Sequence, residues 1–147
     1  MKLYGLNNIV RCGSYIYYID IVGERLHLKN ESPYETLYLY GVTLDDDEKD
    51  LIEDVEMSDF LLDALFKKHF YYECQELYYW ELGTGKYSIE KVDEDLYKLM
   101  IGSNILVYFN TVRELQNAYH FYSDYDHEEN VLTEDIDTKL KKLFKLI

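Results

Sequence analysis

Residues 70–109 read FYYECQELYYWELGTGKYSIEKVDEDLYKLMIGSNILVYF, and this stretch decides the fold class. The aromatic run Phe70–Leu82 has strand character, and Gly83-Thr84-Gly85 turns it into Lys86–Val92. Asp93-Glu94-Asp95 makes the next turn into Leu96–Ile101, and Gly102-Ser103-Asn104 leads into Ile105–Phe109. Four apolar runs joined by short turns predict an antiparallel meander.

Working outward, the first third also reads as strands. Ser14–Val22 places Tyr15, Tyr17, Ile19 and Ile21 on one face, and Gly23-Glu24 suits a two-residue hairpin. Arg25–Lys29 alternates with Leu26 and Leu28 inward, and Glu35–Tyr40 alternates again after a turn at Glu31-Ser32-Pro33. From Asp45 the period changes: Leu51, Ile52 and Val55, then Phe60, Leu61, Ala64 and Leu65, are spaced as a helical face. Ser58 is a candidate cap, so the reading allows one long helix or two with a break. Thr111 caps a further helix whose face carries Val112, Leu115, Tyr119 and Tyr122. A last helix begins near Thr133, with Ile136, Leu140, Leu143, Phe144 and Ile147 as its apolar stripe. Strands and helices come in blocks, which predicts an α+β fold: antiparallel hairpins and a meander with two to four helices packed on them, residues 1–147 forming a single domain.

The 147 residues carry a net charge of −14, and aromatics make up 16%, mostly 17 tyrosines. That aromatic mass argues for a folded core rather than an acidic disordered tail. The charge disfavours direct nucleic-acid binding, since phosphates would be repelled. No apolar run approaches the about 18 residues of a membrane span, and MKLYGLNN lacks a basic segment followed by an apolar one, so a cytoplasmic protein is expected. Cys12 and Cys74 are expected as free thiols in a reducing compartment. Two alanines and three arginines against many Tyr, Ile, Asn and Lys match AT-rich codon usage, as in a low-GC bacterium or its phage.

The negative charge is concentrated. Residues 45–66 carry ten acids (Asp45, Asp46, Asp47, Glu48, Asp50, Glu53, Asp54, Glu56, Asp59, Asp63) against Lys49 alone. Residues 123–137 carry seven (Asp124, Asp126, Glu128, Glu129, Glu134, Asp135, Asp137) and no base. Were Asp45–Asp63 helical, its carboxylates would be strung along about 28 Å, within a factor of two of the charge density of duplex DNA. Such a row destabilises its own helix, because like charges at i, i+4 repel. A helix shaped for stability alone would interleave lysines. Solvation and capping of helix N-termini account for some of these acids; the second cluster argues for a surface that faces a cationic partner.

Seventeen tyrosines exceed what one such core needs, and adjacent pairs such as Tyr17-Tyr18, Tyr71-Tyr72 and Tyr78-Tyr79 should turn one ring of each outward. A tyrosine-rich core explains many of them; interface use explains the rest. Base stacking is disfavoured, since no basic groove accompanies the rings.

Signals for chemistry are poor. Gly83-Thr84-Gly85-Lys86 resembles the end of a phosphate loop, but Trp80 stands where its first glycine belongs and Tyr87 replaces the metal-binding hydroxyl. Asp45-Asp46-Asp47 lacks the glycine of a calcium loop, and Lys49 occupies a ligand position. His120, Asp124, Asp126 and His127 match no metal-site spacing, and Cys74 with His69 is no recognisable nucleophile pair. No enzyme activity, metal or cofactor is expected.

The sequence therefore predicts a small acidic inhibitor that binds a basic, nucleic-acid-binding protein as a nucleic-acid mimic. Its contact residues are expected to be Asp45, Asp46, Asp47, Glu48, Asp50, Glu53, Asp54, Glu56, Asp59, Asp63, Asp124, Asp126, Glu128, Glu129, Tyr122 and Tyr125. In size and charge it is like phage antagonists of bacterial defence nucleases, a similarity of composition only. An immunity protein neutralising a basic nuclease toxin is the alternative, an enzyme of unknown type a more distant one, and a homodimer through exposed tyrosines is compatible with the first two.

Overall fold

The structure is a computed structural model that describes residues 3–30, 41–83, 85–125 and 135–144. It is α+β: two antiparallel five-stranded sheets with three α-helices and a 3-10 helix among the described residues. The chain divides into two compact units, Met1–Val55 with Ile136–Ile147, and Glu56–Asp135.

The first unit holds strands β1 (Ile9–Cys12), β2 (Tyr15–Ile21), β3 (Leu26–Lys29), β4 (Gly41–Leu44) and β5 (Ile52–Asp54), ordered β4-β3-β2-β1-β5. One face of this sheet carries Val10, Tyr17, Ile19, Leu26, Leu28, Leu44 and Ile52, which form its core. A hairpin joins β2 to β3, with Leu28 opposite Ile19, but its connection is Val22–Arg25 with a register shift beside it, and Gly23 does not take the left-handed φ that the expected two-residue turn at Gly23-Glu24 requires. The strand and turn expected between residues 31 and 40 lie outside the described residues. Strand β1 was not anticipated. It has four residues and gains its place by pairing β2 on one side and β5 on the other, with Val10 opposite both Tyr17 and Asp54.

The helix expected from Asp45 does not form as a continuous rod. Asp46–Leu51 is a 3-10 helix, and the chain then extends into β5. Three apolar residues make a weak helical stripe, and the acids repel at i, i+4. Pairing with β1 instead takes Ile52 to 4% exposure while leaving Leu51 at 56%. The 3-10 helix starts where the Glu48 N–H donates to Asp45 O (3.0 Å) and the Asp45 N–H to Glu48 Oε1 (3.2 Å). Helix α3 (Ile136–Leu143) buries Ile136 and Leu140, as its periodicity predicts; its expected start near Thr133 lies outside the described residues. Its Lys141 ammonium donates to Asn7 Oδ1 at 2.6 Å and sits 4.1 Å over the Tyr18 ring. Tyr17 and Tyr18 are consequently both buried, not one in and one out: each face of β2 is covered.

The second unit begins with α1 (Asp59–Leu65), capped by Ser58, whose Oγ accepts from the Leu61 N–H at 3.3 Å. Its buried stripe is Leu61, Leu62 and Leu65, whereas Phe60 and Ala64 are exposed. Strands β6 (Lys67–Tyr71), β7 (Cys74–Leu82), β8 (Tyr87–Asp93), β9 (Leu96–Ile101) and β10 (Asn104–Phe109) follow in spatial order β10-β9-β8-β7-β6, the predicted meander with one strand more. The added turn is Tyr72-Glu73, where Glu73 takes a left-handed φ of 64° without being glycine. Trp80, Leu82, Ile89, Tyr97, Leu99 and Phe109 are buried there. Helix α2 (Val112–Tyr125) starts at Thr111, whose Oγ1 accepts from the Glu114 N–H at 3.2 Å while its hydroxyl donates to Glu114 Oε1 at 2.8 Å. Val112, Leu115 and Tyr119 are buried on the predicted face.

Thr111→Ala removes this reciprocal cap and is expected to lower stability by about 1 kcal/mol, read as a lower urea midpoint. Thr111→Ser keeps the oxygen and is expected to recover most of it; equal losses for both would show that the cap carries no weight.

Candidate functional site

The ten acids between Asp45 and Asp63 fall in both units and do two different things. In the first unit, Arg25 Nε meets Asp45 Oδ1 at 2.8 Å, and Lys49 Nζ meets Asp46 Oδ1 at 2.6 Å. Asp47, Asp50 and Glu53 are exposed and form no ion pair among the described residues, although Arg11 stands directly opposite Glu53 across the β1–β5 ladder. Asp54 is half-buried on β5. In a 3-10 helix residues three apart eclipse. Lys49 therefore neutralises the ridge it shares with Asp46, while Asp47 and Asp50 stack into an open anionic one. Oxygens of Asp45, Asp47 and Glu48 also lie within 4.8 Å of one another, which concentrates charge at the start of this helix.

In the second unit Asp59 and Asp63 are bound by side chains of the sheet. Asp59 takes hydrogen bonds on both oxygens: Tyr97 OH donates to Oδ1 at 2.6 Å, and Tyr78 OH to Oδ2 at 2.6 Å, where Lys91 Nζ also approaches to 3.3 Å. Asp63, one helical turn on, accepts from the Trp80 indole N–H at 2.8 Å and lies 3.8 Å from Lys68 Nζ. Lys68 in turn sits 3.8 Å above the Tyr78 ring, with Phe70 and Trp80 at 5.6 and 5.8 Å. Burial alone would raise the Asp59 carboxyl; the hydrogen bonds from Tyr78, Tyr97 and Lys91, with the Lys91 charge, outweigh it and hold the group below the ordinary carboxylate range. The same bond, then burial, pushes Tyr78 up to about 12. Tyr97 rises further still, through burial first and Asp59 second. These two acids fasten α1 to its sheet. Asp63 keeps 47% of its side chain exposed while making these contacts. Glu56 is exposed and forms a β-bridge with Thr111.

Of the second cluster, Asp124 and Tyr125 close α2. Tyr122 is half-buried, its hydroxyl 3.5 Å from Leu106 O and its ring 6.5 Å from Tyr87. Asp126, Glu128 and Glu129 lie outside the described residues. Sequence reasoning passed over Leu3, Tyr4, Val22 and Gly23, which border a groove beside Asp46 and Asp50. No local pattern marks them, because they are brought together from positions far apart in the chain.

Burial pushes the Cys12 thiol up, away from the thiolate needed for nucleophilic attack. His27 Nδ1 lies 2.5 Å from Asp20 Oδ1; the His69 ring stacks on Tyr79, and its buried Nε2 lies 3.5 Å from Glu81 but makes no hydrogen bond among the described residues. No family model matches the chain, and no curated protein or solved structure matches it either.

The raised phenols give an alkaline test with a definite sign. Folding favours their protonated form, so this stabilisation is whole below the ordinary tyrosine value of about 10 and is lost as pH rises past about 12. Asp59→Asn removes the anion that holds Tyr78 and Tyr97 up, so part of the tyrosinate absorbance is expected to develop at lower pH. An unchanged titration would show that Asp59 does not set these phenols.

Proposed function

We propose that this protein is a small acidic inhibitor that binds a basic, nucleic-acid-binding protein in the cytoplasm and competes with its nucleic acid. The contact residues are Asp47, Asp50 and Glu53, supported by Asp45, Asp46 and Glu48. The observation that carries this reading is the unpaired anionic ridge of the 3-10 helix. Four carboxylates occupy the six residues Asp46–Leu51, and Lys49 pairs one of them, Asp46. At about 2 Å rise per residue the segment spans about 12 Å, so the other three give one charge per about 4 Å, near the spacing of about 3.4 Å along a single nucleic-acid strand. The helical row that would have approached duplex density is absent, so the reading narrows from a long duplex-like rod to a compact patch.

The mechanism is steric exclusion. Exposed carboxylates attract a Lys/Arg groove over about a Debye length, speeding encounter, and salt weakens that attraction. Net charge serves solubility wherever it sits; its concentration on one short helix is what favours a contact. Here Lys49 and Arg25 pair two acids, and Asp47, Asp50 and Glu53 form no ion pair among the described residues. Two free thiols fit a reducing compartment. No step in this reading requires catalysis, metal or cofactor.

The test is capture from a bacterial lysate at low and at high salt, with identification of what is retained. The expected partner is a basic nucleic-acid-binding protein that elutes as salt rises and is displaced by added nucleic acid. Asp47→Lys with Asp50→Lys and Glu53→Lys is expected to abolish capture and leave the unfolding midpoint within a few degrees of the parent. A neutral partner held regardless of salt, or capture that survives the reversal, would overturn the reading.

A further inference from the structure

The first unit has an open groove of about 750 Å3, within the range of about 300–1,000 Å3 typical of ligand clefts. Its floor is the edge of the core, Leu26 and Ile52. Leu3 and Val22 stand at its sides, 74% and 47% exposed, and the 3-10 helix supplies the acidic rim, Asp46 and Asp50 with Lys49 between them. An apolar floor under an anionic rim is more than a nucleic-acid mimic needs, since phosphate mimicry uses carboxylates alone.

We infer that this groove seats a basic amphipathic segment of the partner protein, with one aliphatic or aromatic side chain against Leu3, Val22 and Leu26 and a flanking Lys or Arg side chain on Asp50, Asp46 being held by Lys49. This rests on the reading of a basic protein partner and adds the anchor that gives it specificity. Charge complementarity selects the occupant. A nucleic acid would bring phosphates to Asp50, and a second copy of the same rim would bring its own Asp50 carboxylate there. A wholly apolar ligand would cover Asp50 without offering it a partner, which is costly. A cationic segment with an apolar anchor satisfies floor and rim together. The anchor supplies the part of affinity that salt does not screen, because burial of apolar surface is independent of ionic attraction.

Two short synthetic peptides of equal positive charge, one alternating Lys with Leu and the other Lys with Ser, test this on the full chain. Binding is followed by calorimetry and by amide chemical shifts. The Lys/Leu peptide is expected to bind at least about tenfold tighter, a gap that persists at high salt. Its shifts should centre on Val22, Gly23, Lys49 and Asp50. Val22→Ser and, separately, Leu3→Ser are expected to shrink the gap; both side chains are exposed enough for folding to be kept, which the amide spectrum verifies. Asp50→Asn should weaken both peptides alike. Equal affinity for the two peptides, shifts centred elsewhere, or no effect of Val22→Ser and Leu3→Ser would overturn the groove while leaving the acidic-inhibitor reading to its own capture test. Tight, groove-centred binding of the Lys/Leu peptide by a protein that captures nothing basic would do the reverse.

Discussion

The second unit turns on one carboxylate. Asp59 receives the hydroxyls of Tyr78 and Tyr97, from β7 and β9, and the ammonium of Lys91, from β8. Three strands are thus tied to the first turn of a seven-residue helix that has little stability of its own. Asp63 adds the indole of Trp80 one turn later. The chemistry is forced by the aromatic content. A sheet face made of Tyr78, Trp80 and Tyr97 gains large apolar area, but each ring brings a polar tip that needs an acceptor when buried. Carboxylates at i and i+4 on a short helix supply acceptors at the spacing the strands require. Two of the acids and the rings of Tyr78, Trp80 and Tyr97 are therefore two halves of one packing solution.

This explains what was legible in the sequence and what was not. The meander of residues 70–109 was readable because its turns are local: Gly102 sits at a φ of 57°, and Gly83 and Gly85 are likewise left-handed. Ser58 and Thr111 were readable as caps because their acceptors serve N–H groups three residues away. Strands β1 and β5 were not, since IVRC and IED hold too few residues to show a period and owe their conformation to each other. The acidic stretch was misread for a related reason. Asp50 and Asp59 look alike in one dimension; they differ because Asp59 has partners 19 to 38 positions downstream. The groove bordered by Leu3 and Val22 escaped notice in the same way.

The charge itself is unevenly shared. Residues 56–135 hold 17 acids against six bases, while the first unit holds twelve against nine, four of them lysines in its final segment. Yet the exposed ridge of Asp47 and Asp50, which forms no ion pair among the described residues, lies in the more balanced unit. Net charge is thus a poor guide to where a cationic partner would be met; local pairing is a better one. Lys141, drawn onto Tyr18 and Asn7, shows a base spent on packing just as Asp59 is an acid spent on it.

The central claim is that one run of acids does two jobs, and unfolding midpoints of two amide variants test it most directly. Asp59→Asn with Asp63→Asn should cost about 2–4 kcal/mol, because it weakens bonds that hold α1 to the sheet. Asp47→Asn with Asp50→Asn and Glu53→Gln should cost nothing, or stabilise slightly by relieving like-charge repulsion. Comparable losses in the two variants would contradict the division and return the whole stretch to a single role.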